Sequence, residues 1–341
     1  MSNLNTADRQ PLLDKYVGCL LGQCLGDALG FPVEGFSSDA CLDYLHRQVK
    51  PQWLEKHFEK THPFGQYTDD SQLARELLLS LINCRGFDGD DYAGRLRQLF
   101  ESNQVVGRGI ACDSAIRRII AGVPWQQAGC PPPRAGNGTA MRVAPIALIY
   151  AREHNLLIRY AREQGWITHR DPRCDAGSVA VAVAIAQALA QDTTPADFLQ
   201  SISDAITPFA EDFGRAVLEL APMVPERPAV VAEWAATVGL EDGFETGWPG
   251  ISPFVVSTVL WSLYCFLHSP NDYYTSIWHA IAVGGDVDTT AAITGAISGA
   301  YNGASSLPAH LLADLNDRGE WRADKLRALC EQAVELSESF R

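Results

Sequence analysis

Two short acidic clusters near opposite ends of the chain, Thr68-Asp69-Asp70 and Asp286-Val287-Asp288-Thr289, hold the residue types best suited to chemistry. Each packs carboxylate and hydroxyl oxygens into three or four residues, the hard ligands that magnesium, manganese or calcium prefers. Either cluster alone also reads as a helix N-cap, because Asp and Thr are favoured there. If the fold brings the two together, four carboxylates share one small volume, and charges that close cannot all stay ionised without a cation or large pKa shifts. A divalent metal, or a pair, is the simplest resolution. The second cluster is not an EF-hand, since it lacks the Asp-x-Asp/Asn-x-Asp/Asn-Gly run with Glu at position twelve.

Other polar groups are ambiguous on local grounds. Glu34 closes GDALGFPVEG and reads by default as a solvated carboxylate after a proline turn, while Asp27 reads as a helix-packing or capping group. Gly136-Asn137-Gly138-Thr139-Ala140-Met141-Arg142 sets a flexible turn ahead of a helix, a geometry that can offer N–H groups to a phosphate. It is neither a P-loop, lacking Gly-Lys-Ser/Thr, nor a complete dinucleotide fingerprint. His169 precedes an Ala/Val-rich run and on its own reads as structural, and no HExxH motif is present. No G-x-S-x-G elbow and no persuasive Cys/His pair occurs, which argues against a hydrolase triad.

The elements that must position these groups read as helices. Leu73, Ala74, Leu77, Leu78 and Leu81 recur at helical spacing straight after Asp70-Ser71, so the first acidic cluster falls at a helix start, facing its positive dipole end. Gly18, Gly22, Gly26 and Gly30 repeat every fourth residue, as do Gly295, Gly299 and Gly303 after the second cluster. Glycines inside a helix destabilise it by roughly 1 kcal/mol each relative to alanine, so close approach of another backbone is expected to offset them. Ser178–Ala186 alternates Val with Ala, formally a strand pattern, but its continuation into Gln187-Ala-Leu-Ala favours a buried helix. No Asn-Gly or Asp-Gly joins two β-branched runs, so the expected class is all-α. The loops over residues 129–139 and 224–228 are read as internal to a single domain spanning residues 1–341, because the acidic clusters flank both.

Composition narrows the classes of function. The 341 residues are 47% hydrophobic and 20% charged, with 27 basic against 41 acidic residues and a formal charge of -14. That balance lacks the footprint of a general nucleic-acid or anionic-membrane binder, and a phosphate-bearing substrate would draw on bound metal for local positive charge. Nine cysteines without a CxxC pair read as reduced thiols and a cytoplasmic setting. Met1 to Lys15 shows no apolar signal core. The longest apolar stretches, Phe254–Leu267, interrupted by Ser257, Thr258 and Ser262, and Val179–Ala186, fall short of about 20 residues, so no membrane span is expected.

In order, GQCLGDALGFPVEG, YTDDSQLA, GNGTAMRVAPIAL, THRDP and GGDVDTTAAITGAISGAYNG resemble the signature blocks of the ADP-ribosylglycohydrolase family, over residues 17–303. The resemblance implies a compact orthogonal helical bundle with a binuclear Mg²⁺ or Mn²⁺ centre that cleaves α-linked ADP-ribose from an acceptor, either an ADP-ribosylated protein or a small ADP-ribose conjugate. It further implies that Thr68, Asp69, Asp70, Asp286, Asp288 and Thr289 ligate the metals. Glu34 is then a catalytic carboxylate, with Asp69 and Asp70 the other catalytic candidates. Gly136, Asn137 and Gly138 receive the diphosphate and distal ribose, and His169 contacts substrate. Two departures stand out. Gly107 occupies a place where some bacterial members carry aspartate, and Arg134-Ala135 stands where serine-ADP-ribose hydrolases carry Ser-Tyr, which leaves the linkage open. Two further readings stay alongside: a catalytically silent ADP-ribose and metal binder, and a di-metal phosphohydrolase acting on a nucleotide pyrophosphate.

Overall fold

A computed structural model describes residues 6–47, 62–191, 193–241 and 246–340. Among them are seventeen α-helices, short 3₁₀ turns and isolated β-bridges, with no strand. The expected all-α class holds. In chain order the helices are α1 Thr6–Gly30, α2 Ser38–His46, α3 Asp69–Cys84, α4 Gly89–Glu101, α5 Ile110–Ile120, α6 Trp125–Ala128, α7 Ala144–Tyr150, α8 His154–Trp166 and α9 Pro172–Ala190. They continue as α10 Pro195–Ile206, α11 Glu211–Glu219, α12 Pro228–Thr237, α13 Val255–His268, α14 Tyr273–Ala282, α15 Val287–Asn302, α16 Ala309–Leu312 and α17 Ala323–Ser337.

The central pair is α1 and α15, and the glycine stripes explain their contact. A Cβ built on Gly18 would lie 2.2 Å from the Gly299 carbonyl oxygen, one on Gly22 2.4 Å from that of Gly295, and one on Gly26 2.1 Å from that of Ala291. No side chain fits, so the backbones meet directly and each helix buries its glycine face against the other. Tyr273 of α14 locks the seam by donating its hydroxyl to the Gly22 carbonyl at 2.7 Å.

Around this pair the apolar faces of α3, α7, α9, α13 and α17 join one continuous buried cluster. The Ala/Val run lies inside α9, where residues 176–185 are all buried, so it is helical and not a strand. Two helical segments, Arg9–Val33 and Pro172–Ala190, are long and apolar enough by length and composition to cross a bilayer. This corrects the lengths expected from the sequence, where Val179–Ala186 covers only part of the second helix and the glycine-rich first helix goes uncounted. Their most apolar windows are 89% and 72% buried inside the protein. Small residues serve close helix packing here.

Candidate metal and nucleotide-sugar site

The N-terminal ends of α3 and α15 open onto one cavity of about 500 Å³, within the size range of small-molecule sites. Asp69 and Asp70 line it from the first end, Asp286, Asp288 and Thr289 from the second, and Glu34, Asn137 and His169 from the loops between. Gly136 and Gly138 line it as well. Of the metal-binding, catalytic and substrate residues that the resemblance implies, Thr68 alone is absent from the wall; it is fully buried one residue behind it.

Thr68 is the N-cap of α3, its hydroxyl accepting from the Asp70 N–H at 3.4 Å. Asp27, projecting from α1, completes the cap. Its Oδ1 accepts from the Thr68 N–H and the Thr68 hydroxyl, both at 2.9 Å, and its Oδ2 accepts from the Ser71 N–H at 3.0 Å. One carboxylate thus satisfies donors that the helix start leaves unpaired. Asp69 is held from the other side, its N–H donating to the Val106 carbonyl at 2.8 Å and its Oδ2 accepting from the Gly109 N–H at 3.4 Å.

The second cluster depends on the Gly284-Gly285 turn, at φ +79° and +92°. A Cβ on Gly285 would meet the Ile251 carbonyl oxygen at 2.1 Å, and one on Gly284 the Phe36 carbonyl oxygen at 2.5 Å. Reciprocal hydrogen bonds, Gly35 N–H to the Gly285 carbonyl at 2.8 Å and Gly285 N–H to the Phe36 carbonyl at 3.0 Å, clip the Glu34 turn to this cluster. Asp286 accepts from the Asn137 side-chain amide at 2.5 Å, and that amide also donates to Thr258 at 3.0 Å. Asn137 therefore ties the Gly-Asn-Gly turn to the acidic cluster.

Electrostatics here favour a cation. Ligand atoms of Glu34, Asp286 and Asp288 all lie within 4.8 Å of one another. Asp69, Asp70, Asp286 and Asp288 are each at most 4% exposed, and among the described residues none pairs with a lysine or arginine. Burial lifts the carboxyls of Asp69, Asp70 and Asp288 well above the usual range, and repulsion from neighbouring carboxylates, Asp27 among them in each case, adds to the lift. Asp286 moves the same way, again chiefly through burial. Glu34 faces the open cleft, yet desolvation and then the Asp286 charge raise it to about 7. Asp27, desolvated on α1, rises to about 6.

Asp70 supplies the most specific observation: its Oδ1 is buried and accepts no hydrogen bond. Such an orphaned acceptor in a ring of unpaired carboxylates matches the oxygen-rich donor set of a hard divalent ion. The residues present therefore fit a metal.

His169 lies under the Gly-Asn-Gly turn. A Cβ on Gly136 would stand 3.2 Å from its Nε2, and one on Gly138 2.9 Å from its Cε1, so both glycines leave room for the ring. Its Nδ1 pairs with the Thr168 hydroxyl at 2.9 Å. Burial, reinforced by the Arg142 charge, pushes its pKa down to about 3, which makes it a neutral hydrogen-bonding group throughout the physiological range. Sequence reading missed Trp248, Pro253, Cys112 and Ile110 on the cavity wall, since none stands in a motif. Asp27 was legible as a polar residue on an otherwise buried helix face, which must find donors once folded.

Compared with known proteins, residues 8–340 match the ADP-ribosylglycohydrolase family. An uncharacterized protein of Archaeoglobus fulgidus is 31% identical over 95% of this chain and 99% of its own length. Human ADP-ribosylhydrolase ARH3 is 28% identical, over 83% of this chain and 84% of its own. ADP-ribosylarginine hydrolase Tri1 of Pseudomonas putida is 27% identical, over 89% of this chain and 74% of its own. Among solved structures, an ADP-ribosylglycohydrolase-related protein complex superposes with a TM-score of 0.67 at 26% identity, covering 96% of this chain and 99% of that one.

Proposed function

Because the chain belongs to the ADP-ribosylglycohydrolase family, we propose that it hydrolyses the α-glycosidic bond between ADP-ribose and an acceptor, with two divalent cations, Mg²⁺ or Mn²⁺, in the acidic cluster. The observation that carries this reading is the meeting of both acidic helix starts and Glu34 around one cavity, with the Asp70 Oδ1 left without a donor.

Thr68, Asp69, Asp70, Asp286, Asp288 and Thr289 would hold the cations. When bound, such ions supply Lewis acidity, making water more acidic and fixing neighbouring hydroxyl groups in place. The chain's own residues do the rest. Glu34, lifted to about 7, suits a group that accepts a proton from water near neutrality, or that opposes the positive charge growing at C1″ of the ribose as the bond breaks. Asp69 and Asp70 are the other carboxylates within reach of that role. Gly136 and Gly138 let the chain pass close to the diphosphate, Asn137 anchors the turn to Asp286, and neutral His169 offers a hydrogen bond without adding charge. The substrate is an ADP-ribosylated protein or a small ADP-ribose conjugate. A cytoplasmic setting accords with nine unpaired thiols, eight of them buried.

Mass spectrometry of products from arginine-, serine- and base-linked ADP-ribose, with added Mg²⁺ or Mn²⁺, tests the proposal. Free ADP-ribose is expected from at least one substrate. AMP as the product would point to pyrophosphate cleavage, and calorimetric binding of ADP-ribose without turnover would identify a silent binder.

A further inference from the structure

Behind the cavity lies a polar cluster centred on Asp317, a residue that none of the signature blocks covers. Asp317 stands beyond α16 and is 6% exposed. Its Oδ1 accepts from the side-chain amides of Gln66 and Gln72, both at 2.9 Å, and its Oδ2 accepts from the Arg75 guanidinium at 2.6 Å. A buried carboxylate this fully satisfied fixes the side chains that donate to it.

One of these donors, Gln72, leads toward the cavity. The Gln72 Oε1 accepts from the Val106 N–H at 3.0 Å, and the Val106 carbonyl in turn accepts from the Asp69 N–H at 2.8 Å. Gly107 and Gly109 follow directly, the latter donating to the Asp69 carboxylate. Gln66 Oε1 accepts from the Arg318 N–H at 2.8 Å. The backbone repeats the link: Asn316 N–H donates to the Gly65 carbonyl at 2.9 Å, and Tyr67 N–H to the Asn316 carbonyl at 3.3 Å. Gly65, at φ +88°, admits this approach, since a Cβ there would sit 2.1 Å from the Asp314 carbonyl oxygen. The segment thus grips residues 65–67 immediately before Thr68-Asp69-Asp70, and through Gln72 it also grips the loop that holds Asp69.

We infer that Asp317 is a positioning residue for the metal site, setting the orientation of Asp69 through Gln72 and Val106. This rests on the metal reading given above. Groups that orient metal ligands from behind typically change affinity by about 10–100-fold when replaced.

Calorimetric titration of Mn²⁺ into the full chain, beside thermal melts in chelator, tests it. Asp317→Asn is expected to weaken Mn²⁺ binding by about tenfold or more. Gln72→Leu, which cuts the relay and leaves the Arg75 pair with Asp317 intact, is expected to do the same and decides the matter if Asp317→Asn does not fold. As a control, Leu326→Ala, in the buried face of α17, should lower the melting temperature with Mn²⁺ affinity unchanged. Wild-type affinity in Gln72→Leu and in any folded Asp317→Asn would overturn the inference. No Mn²⁺ binding by the wild-type chain would instead overturn the metal reading, and this inference with it.

Discussion

Gly26 and Ala291 touch backbone to backbone, with a Cβ on Gly26 falling 2.1 Å from the Ala291 carbonyl oxygen. Asp27 and Asp288 flank this contact, so the same seam that holds the core also sets the spacing of the acidic groups. Gly26→Ala should therefore destabilise the chain by about 1–3 kcal/mol, the usual range for overpacking. Thermal or urea unfolding reads the loss, and an unchanged midpoint would show that the seam can spread.

Repulsion among the buried carboxylates makes the metal-free fold pay for its site, and this gives Asp288→Asn opposite effects in two conditions. In chelator the variant should melt higher than the wild-type chain, having lost one desolvated acid. With Mg²⁺ or Mn²⁺ the order should reverse. Saturation of one site at a hundred times its Kd stabilises by about 2.7 kcal/mol, and the variant should gain less than half of that. Scanning fluorimetry in both conditions checks it, and identical metal-induced shifts would remove Asp288 from the ligand set.

The raised acids also set a pH dependence. Glu34 at about 7 and Asp27 at about 6 both hold protons in the folded chain at pH values where the unfolded chain has released them. Stability from this source is complete below the unfolded carboxylate range and is lost as pH rises through 6 to 7. In chelator the melting temperature should accordingly fall between pH 5 and pH 8. Metal affinity should rise across the same interval, since ligands bind deprotonated. A metal-free melting temperature that climbs over this range would contradict the assignment.

Glu34→Gln separates two roles for one carboxylate. As a proton acceptor it should reduce kcat by about 10²–10⁴-fold with Mn²⁺ affinity intact. Its oxygens also lie within ligand reach of Asp286 and Asp288, so a matching loss of Mn²⁺ binding would move it into the ligand set. Calorimetry beside single-turnover kinetics distinguishes the outcomes.

Gly138→Ala forces a methyl group to 2.9 Å from the His169 ring, so the ring must shift, ADP-ribose affinity should drop by tenfold or more, and the melting temperature should fall by the amount usual for overpacking. His169 itself, held near 3, should leave no inflection between pH 5 and pH 8 in the kcat profile. An inflection in that range that disappears in His169→Gln would refute a neutral imidazole.

Much of this was legible in the sequence because the informative signals are short-range. Thr68-Asp69-Asp70 before a leucine-spaced helix specifies a helix start, and glycines every fourth residue specify a face that a second backbone must cover. Other features arise only from tertiary approach. Asp27 caps a helix that begins far along the chain, Trp248 and Pro253 reach the cavity from a loop without periodicity, and Asp317 acts across 245 residues on Gln72. Local pattern marks Asp27 as a packing or capping group without naming the helix it caps, and marks the others not at all, because the partner and not the neighbour determines what each one does.

The seam between α1 and α15 also constrains the order of assembly. Tyr273 closes on Gly22 from 251 residues away, so the first helix leaves the ribosome well before anything exists to cover its glycines. Contacts of such long range slow the final step of folding. Until that late partner arrives, the nascent polypeptide carries only one of the two acidic clusters, so under the proposed metal reading a complete donor set forms at the end of biosynthesis and not gradually along it.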